Sequence, residues 1–250
     1  LTRIKKHNLA FADLGRRDDE EIIILKGPKS GYGDKAKQIE YGDTTSTHRY
    51  RSELKSINNW LASADLEIKP PFSTGVDVHN RRLRRIFNNG KFSEGGRLFG
   101  GFWMSLRKQD RFQAITIEKR PIVELDYGQM AIRQLYGMAK EQPPAGDLYN
   151  VPGLDSRDGI KILVNAALHA SKKLNRLPQG TRKHFPSQQK CTDVLNLIEA
   201  YHPKIARYFY RRIGMELMFQ ESEILLLVMK NAMKEGHVVL PIHDAVLTAD

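Results

Sequence analysis

The spacing of apolar residues predicts helices over much of the chain. In segment 47–66, Leu54, Ile57, Trp60 and Leu61 recur at intervals of three and four, which is typical of an amphipathic helix. The helix predicted at 76–92 is strongly basic and is closed by turn residues. Further helices are predicted from about 128 and at 157–174, 191–202, 203–214 and 216–236.

Short β-prone runs alternate with these helices. In segment 237–249, two such runs flank Pro-Ile-His-Asp, which predicts a hairpin. Two polar, Pro- and Gly-containing segments are predicted as loops, at 141–147 and 175–190, and no linker clearly splits the chain. Strands are predicted at 21–27, 37–44, 112–118 and 122–125.

Composition adds a large excess of positive charge. The 250 residues include 40 Lys and Arg against 29 Asp and Glu, a formal net charge of +11. Such a balance favours a polyanionic partner, most simply nucleic acid, over an ordinary basic soluble protein. Between 81 and 120 the cations form a cluster, which could contact phosphates or could be an ordinary solvated surface. Its members are Arg81, Arg82, Arg84, Arg85, Lys91, Arg97, Arg107, Lys108, Arg111, Lys119 and Arg120.

Cysteine content and hydropathy exclude several classes of protein. The single Cys191 leaves no internal disulfide and no Cys-based zinc site, and it fits a reducing compartment. His184 and His202 lack metal-ligand spacing and are predicted at the surface. No apolar run approaches the roughly 20 residues of a membrane span. No signal peptide is visible at the start. We therefore expect a cytoplasmic protein without a membrane partner, nucleoid-associated in a bacterium or phage.

Two carboxylates lie at the ends of predicted strands. Asp126 follows the run 122–125, and Asp244 lies in the predicted hairpin. A carboxylate beside a buried strand is costly unless it is paired or bound to metal. Two that converge across a sheet would suit Mg²⁺ and two-metal phosphoryl chemistry. Glu124 shares the face of Asp126 and is a candidate outer-sphere helper. The alternative for Asp126 alone is a cap of the following helix.

A polar stripe follows the helix predicted at 157–174. Arg157, Lys161, Asn165 and His169 recur every four residues and therefore share one face. The two cations would meet a triphosphate, and the ring end would meet a base and sugar. The alternative is an ordinary solvated face.

Five segments in order resemble the family A DNA polymerases, the bacterial polymerase I type. VELDYGQMAIR (123–133) resembles motif A, RDGIKILVNAALHA (157–170) resembles motif B, and PIHDAVL (241–247) resembles motif C. GGRLFGGFW (95–103) and MFQESEILLLVMKNAM (218–233) are similar to the segments that precede motifs A and C. The resemblance covers the chain from about residue 95 to its end, and the order of the five segments makes it specific.

The resemblance implies a role for each motif residue. Asp126 and Asp244 would hold two Mg²⁺ ions, for which Mn²⁺ can substitute. Arg157 and Lys161 would grip the incoming triphosphate, with Lys161 also the general acid for the leaving pyrophosphate.

Five further residues are implied in nucleic-acid binding or in the shape of the site. Arg97 and Gln220 would touch the minor groove of the duplex near the primer terminus, and His243 would lie near the primer end. Arg133 would help to shape the site. Arg212 falls where the family has another arginine that contacts the duplex.

The chain departs from the family pattern at positions that bear on the choice of sugar. Ala131 replaces the glutamate that blocks a ribose 2′-hydroxyl in DNA-making members, and His169 replaces the motif B tyrosine. Asn165, Ala170 and Ala245 also differ from the family pattern. We therefore expect weak discrimination between deoxyribonucleotides and ribonucleotides.

Together these implications describe one architecture and one reaction. The expected fold class is α+β, a polymerase right hand of reduced size with an antiparallel palm sheet and helical fingers and thumb. Residues 1–95 would form a thumb-like and palm-entry region, 96–140 and 200–250 the palm, and 141–199 reduced fingers. A monomeric, template-directed DNA polymerase would extend the primer of a DNA template–primer duplex with nucleoside triphosphates.

Alternatives to this function stay open. The single-subunit RNA polymerases share the same palm, so an RNA polymerase or primase is the second interpretation. Ala170 and Ala245 are compatible with a nucleic-acid-binding module whose polymerase activity has decayed. A two-metal nuclease is disfavoured because it would not need Arg157 and Lys161.

Overall fold

The computed structural model describes residues 20–29, 31 and 34–250. Within that part, the chain is an α+β fold with six α-helices, a mixed sheet of three strands and a curled antiparallel half-barrel of five strands. This confirms the predicted fold class at the level of α+β. Among the described residues, no helix combines the length and the hydropathy that a bilayer crossing requires.

Helices and strands alternate along the chain without a simple repeat. In chain order the elements are β1 (Ile23–Leu25), α1 (Thr45–Ser63), β2 (Leu66–Ile68), β3 (Leu83–Asn88), β4 (Lys91–Gly100), α2 (Lys108–Ala114), β5 (Ile115–Ile117), β6 (Arg120–Asp126), α3 (Met130–Ala139), α4 (Arg157–His169), α5 (Cys191–Tyr201), α6 (Gly214–Lys234), β7 (Val239–Ile242) and β8 (Ala245–Ala249).

The chain divides into two compact units. The first comprises the described residues up to Phe92, together with Gly96–Asp126 and Ile224–Asp250. The second comprises Ser93–Gly95 and Tyr127–Glu223. The second unit is therefore, for the most part, an insertion in the sequence of the first.

Helix α1 and the small sheet form one part of the first unit. The strands are ordered β1–β3–β4, with β1 parallel to β3. A capping box between Thr44 and Thr47 starts α1, which packs against β1 and β3. The helix and β1 confirm the predictions at 47–66 and 21–27. The strand predicted at 37–44 is wrong, because an isolated bridge from Gln38 to Lys26 stands in its place.

The basic helix predicted at 76–92 is also wrong, because this segment forms most of the β3–β4 hairpin. Asn89 and Gly90 have positive φ angles of 56° and 70°, which suit a tight hairpin turn. Along β3, buried and more exposed residues alternate with period two. This alternation is not visible in the sequence, because one of the buried positions is an arginine. Arg85 is fully buried and donates through Nε to Gly96 O (2.9 Å). Its guanidinium lies 4.6 Å from the ring centroid of Tyr50.

The five-stranded sheet of the first unit has the order β2–β5–β6–β8–β7, and its neighbouring strands are antiparallel. The hairpin predicted at 237–249 is confirmed as β7–β8. The strand predicted at 112–118 is confirmed only at β5, because α2 occupies its first three residues. The strand predicted at 122–125 is confirmed within β6.

Helices α3, α4, α5 and the first half of α6 belong to the second unit. Their apolar faces meet in a core with side chains at most 7% exposed. The helix predicted at 203–214 is wrong, since only the 3₁₀ turn Ala206–Tyr208 forms there. Tyr210 and Arg212 have positive φ angles of 61° and 56° and donate their backbone N–H groups to carbonyls at the end of α4. These contacts break the helical pattern.

His202 lies in the core of the second unit, so its prediction as a surface residue is wrong. The ring is 0% exposed. Nε2 lies 2.8 Å from Leu148 O, and Nδ1 lies 2.9 Å from the hydroxyl of Tyr136. Since a carbonyl can only accept, Nε2 carries the proton of the neutral ring and Nδ1 accepts from Tyr136. Burial lowers the pKa of His202.

Candidate active site

The register of the large sheet brings Asp126 and Asp244 side by side. Asp126 is the last residue of β6 and pairs with Ala245, the first residue of β8. Paired Cα atoms on antiparallel strands lie about 4.5–5.5 Å apart, and Asp244 immediately precedes Ala245. The two aspartates are 244 − 126 = 118 residues apart in sequence, yet they occupy one edge of one sheet.

A short turn and a buried tryptophan position Asp244. Strand β7 passes into β8 through the two residues His243 and Asp244, with His243 at φ 55°. Hairpins this short favour a positive φ at the first turn position, so the turn geometry sets the position of Asp244 immediately before β8. On β7, Pro241 accepts a hydrogen bond from Nε1 of Trp103 (2.8 Å), whose side chain is 0% exposed.

Asp126 does not cap the helix that follows it, so the alternative role considered for it is wrong. The N-cap of α3 is Gln129, three residues later, in the left-handed conformation at φ 64°. The side chain of Gln129 accepts the backbone N–H of Leu148 (3.0 Å) and ties the start of α3 to the following loop. Asp126 itself is exposed at the end of β6.

Glu124 shares the sheet face of Asp126 and is held by a basic partner. Lys108 Nζ lies 2.5 Å from Glu124 Oε1, and the Glu124 side chain is only 15% exposed. Beside them, burial lowers the pKa of Arg111, an effect that the charge of Glu124 opposes. Lys108 is therefore the counter-ion of Glu124.

The donor set at this edge suits a hard cation that completes its shell with other ligands. Both Asp126 and Asp244 offer carboxylate oxygens, the ligand type that Mg²⁺ and Mn²⁺ prefer. Among the described residues, no group of three or more His, Cys, Asp or Glu side chains is placed to hold a metal ion. Mg²⁺ commonly takes one or two protein carboxylates and fills its remaining positions with water and phosphate oxygens.

Helix α4 displays the predicted polar stripe in the second unit. Ser156 caps it by accepting the backbone N–H of Gly159 (3.2 Å). The apolar side packs into the core: Ile160, Leu163, Val164, Ala167 and Leu168 are buried. On the opposite side the four residues of the stripe are all exposed: Arg157, Lys161, Asn165 and His169. The amphipathic helix is therefore confirmed, although it ends at His169.

Arg157 is already engaged by a carboxylate that sequence reasoning missed. Its Nε lies 2.5 Å from Asp147 Oδ2, and its guanidinium carbon lies 5.5 Å from the ring centroid of Tyr149. Oδ1 of Asp147 accepts the backbone N–H of Tyr149 (2.9 Å). Burial alone would raise the pKa of Asp147, but these hydrogen bonds and the charge of Arg157 lower it overall. The one hint in the sequence was that aspartate is common in turns, which does not predict a pair with Arg157.

His169, at the other end of the stripe, packs against the first residue of α6. A Cβ atom on Gly214 would lie 2.4–2.6 Å from three atoms of the His169 ring. Only glycine therefore allows this approach, and sequence reasoning missed it because the residues are far apart in the chain. Burial of part of the ring lowers the pKa of His169.

The remaining predicted site residues are distributed over both units. In the first unit, Arg97 lies on β4 and is half-buried, and His243 is exposed beside Asp244. In the second unit, Arg133 donates through Nε to Gly128 O (3.1 Å) at the start of α3. Arg212 is exposed, and Gln220 is half-buried on α6.

Ala131 lies on the first turn of α3, five residues after Asp126. Its methyl group is half-buried and packs against the core of the second unit. The position is thus occupied by one of the smallest side chains.

Comparison with known proteins does not assign a family or a function to the chain. No protein-family model matches the chain, and it matches no curated protein and no solved structure. The strand register, the exposed stripe of α4 and the surrounding charges are what the chain itself offers for assigning a function.

Proposed function

We propose that the chain is a template-directed nucleotidyltransferase of the family A DNA polymerase type, a reduced right hand whose palm is the five-stranded sheet. The observation that carries the proposal is the pairing of β6 with β8, which puts Asp126 and Asp244 at neighbouring positions. Carboxylates at neighbouring backbone positions could share a cation, which would offset their mutual repulsion.

The proposed reaction joins a primer to an incoming nucleotide. The primer 3′-hydroxyl gives up its proton to solvent and attacks the α-phosphorus, a new phosphodiester bond forms, and the bond from the α-phosphorus to the bridging oxygen of pyrophosphate breaks. Asp126 and Asp244 would hold two Mg²⁺ ions, which supply charge neutralisation when bound. Arg157 and Lys161 would bind the triphosphate, and Lys161 would donate a proton to the departing pyrophosphate.

The exposed stripe of α4 supports the nucleotide part of this proposal. Two cations one turn apart can bind successive phosphates, since Arg is a bidentate donor and Lys a compact point charge. Asn165 and His169 continue the same line toward where a base and sugar would lie. Arg97, Gln220, Arg212, Arg133 and His243 are proposed to contact the DNA duplex or to shape its site.

An RNA polymerase or primase is the second candidate, and Ala131 is the observation that favours it. A methyl group cannot exclude a ribose 2′-hydroxyl as a glutamate would. A protein that binds nucleic acid without catalysis is the outcome if no nucleotide transfer occurs.

Primer extension with Mg²⁺ tests the proposal. Asp126→Asn and Asp244→Asn should each lower the rate by at least about 1,000-fold, because each removes a cation ligand from the reacting centre. Asp65→Asn, an exposed change of the same type at the start of β2, is the control and should keep full activity. Activity that survives in both site variants, or its absence from the parent chain, would overturn the proposal. Extension without a supplied primer would identify a primase.

A further inference from the structure

A basic cavity of about 310 Å³ lies in the first unit, between the last turns of α1 and the start of β3. Lys55, Asn58 and Asn59 line it from the helix, and Arg81 and Arg82 line it from the opposite side. Among the described residues that form its wall, three are cations and none is a carboxylate. The lining therefore favours a small anion or an anionic group of a larger ligand.

The end of a helix would normally repel an anion, because its free carbonyls carry partial negative charge. Arg81 removes this obstacle. Its Nη1 donates to Ala64 O at 2.5 Å and lies within 3.3 Å of the carbonyl oxygens of Leu61 and Ala62. The last turn of α1, which is described in full, supplies no basic residue of its own for this purpose. Arg81 thus neutralises the helix terminus next to the cavity.

The far wall of the cavity is fixed by a reciprocal hydrogen bond. Asn58 Nδ2 donates to Leu83 O (3.0 Å), and Asn58 Oδ1 accepts the N–H of Leu83 (2.8 Å). Because both polar atoms of Asn58 are used, α1 is tied to the first residue of β3. A ligand would meet a wall that is already in place, which reduces the entropy cost of binding.

Lys55 and Asn59 are the groups with donors to offer. They lie four residues apart on α1, share one face and are exposed. One turn earlier, Arg51 is committed to Glu21 (2.9 Å) and Asp43 (2.8 Å). By contrast, neither Lys55 nor Asn59 takes part in an ion pair or side-chain hydrogen bond within the described residues. Across the cavity, Arg82 donates one of its N–H groups to Glu20 O.

We propose that this cavity binds a phosphate group, carried by a nucleic-acid backbone or free as inorganic phosphate or a mononucleotide. Lys55 supplies the charge, Asn59 supplies a directional donor, and Arg81 and Arg82 supply a fixed positive background. The site belongs to the first unit alone and uses none of the residues of the proposed active site. Phosphate binding at this cavity can therefore be tested independently of catalysis.

The test uses Lys55→Gln, which removes one charge at an exposed helical position where glutamine is a good helix former. Lys234→Gln, at the end of α6, removes the same charge from an exposed residue that is not among the lining residues named above, and is the control. Duplex DNA binding is measured against salt concentration, without nucleotide or divalent cation. If the phosphate backbone of DNA occupies the cavity, Lys55→Gln reduces the magnitude of the slope of log affinity against log salt by about 0.9, the value for one phosphate contact. The control leaves the slope unchanged.

A second arm separates the two sources of phosphate. Inorganic phosphate and a mononucleotide are titrated at constant ionic strength, with the melting temperature of each variant as the readout. A free phosphate ligand is indicated if phosphate or the mononucleotide raises the melting temperature of the parent chain but not of Lys55→Gln or Asn59→Asp. In that case Lys55→Gln leaves the salt slope of DNA binding unchanged. The proposal is overturned if both variants bind DNA and phosphate as Lys234→Gln does.

Discussion

The carboxylate of Asp147 lies 2.5 Å from Nε of Arg157, the cation that begins the exposed stripe of α4. This contact raises the pKa of Arg157, so the guanidinium stays charged, but its charge is partly offset by its partner. A triphosphate that binds Arg157 must compete with a carboxylate held by the backbone N–H of Tyr149. Under the proposed function, Asp147 would therefore set how much of the Arg157 charge an incoming nucleotide meets.

Replacement of Asp147 by asparagine should tighten nucleotide binding. The change leaves Arg157 with its full charge, and exposed pairs of this type contribute up to about 1 kcal/mol, so an increase in affinity of about two- to fivefold is expected. Nucleotide titration, without primer, measures it. Asp155→Asn, an exposed change in the same loop region, should have no effect. Weaker binding by Asp147→Asn would show instead that the carboxylate orients Arg157 for the nucleotide.

Introduction of a glutamate at Ala131 should restore sugar discrimination. The parent chain is expected to insert ribonucleotides and deoxyribonucleotides at comparable rates, since a methyl group leaves room for the 2′-hydroxyl. Ala131→Glu should lower ribonucleotide insertion about 10- to 100-fold relative to deoxyribonucleotide insertion. Single-nucleotide extension with each sugar measures the ratio. Ala139→Glu places the same side chain at the end of α3, against the same core, and should leave the ratio unchanged. Strict rejection of ribonucleotides by the parent chain would contradict the prediction.

Burial of His202 should make the second unit sensitive to acid. The folded pKa is below the ordinary value of 6.5, so the unfolded chain binds more protons once the pH falls below that value. The contribution of His202 to stability is complete above about pH 6.5 and declines as the pH falls toward the lowered pKa. His202→Gln should cost about 1 kcal/mol at neutral pH and should flatten this decline.

Urea unfolding between about pH 5.5 and about pH 7.5, around the ordinary histidine pKa, measures the effect. His237→Gln is the matched control, because His237 is exposed and its loss should leave the acid dependence intact. An unchanged slope in His202→Gln would assign the acid dependence to another group, of which His169 is the first candidate.

Two glycines in helices should respond to alanine in opposite directions. At Gly159 in α4, a Cβ would lie 2.7 Å from His184 Cβ and 2.7 Å from Phe185 Cζ. Gly159→Ala should therefore destabilise the chain by about 1–3 kcal/mol through overpacking. At Gly137 in α3, a Cβ meets nothing within 4 Å among the described residues, so Gly137→Ala should stabilise by about 0.5–1 kcal/mol. Thermal unfolding of both variants measures these changes in stability. Equal changes in the two variants would contradict the packing described for Gly159 and Gly137.

Elements with a strong local pattern were predictable from the sequence. The faces of α1 and α4 follow from apolar spacing, and the β7–β8 hairpin follows from two β-prone runs around His243 and Asp244. The meeting of Asp126 with Asp244 was expected from a resemblance in motif order. Their register on neighbouring strands agrees with that expectation, whereas their chemical roles stay predictions.

Features that depend on distant partners were not predictable from local pattern. Arg85 is buried because the ring of Tyr50 and the carbonyl of Gly96 meet it, and no local rule places an arginine inside a strand. His202 finds Tyr136 across 66 residues. The Asp147–Arg157 pair spans only 10 residues, but it crosses a loop whose path the sequence pattern left open. In each case a tertiary contact overrides a local preference.

The long sequence interval between β6 and β8 has a consequence for how the protein is made. During synthesis, Asp126 leaves the ribosome 244 − 126 = 118 residues before Asp244, with nearly all of the second unit in between. At the rates of translation, about 5–20 residues per second, β6 waits several seconds or more for its partner. Until β8 is made, a nascent chain therefore carries β6 without the strand that brings Asp244 next to Asp126.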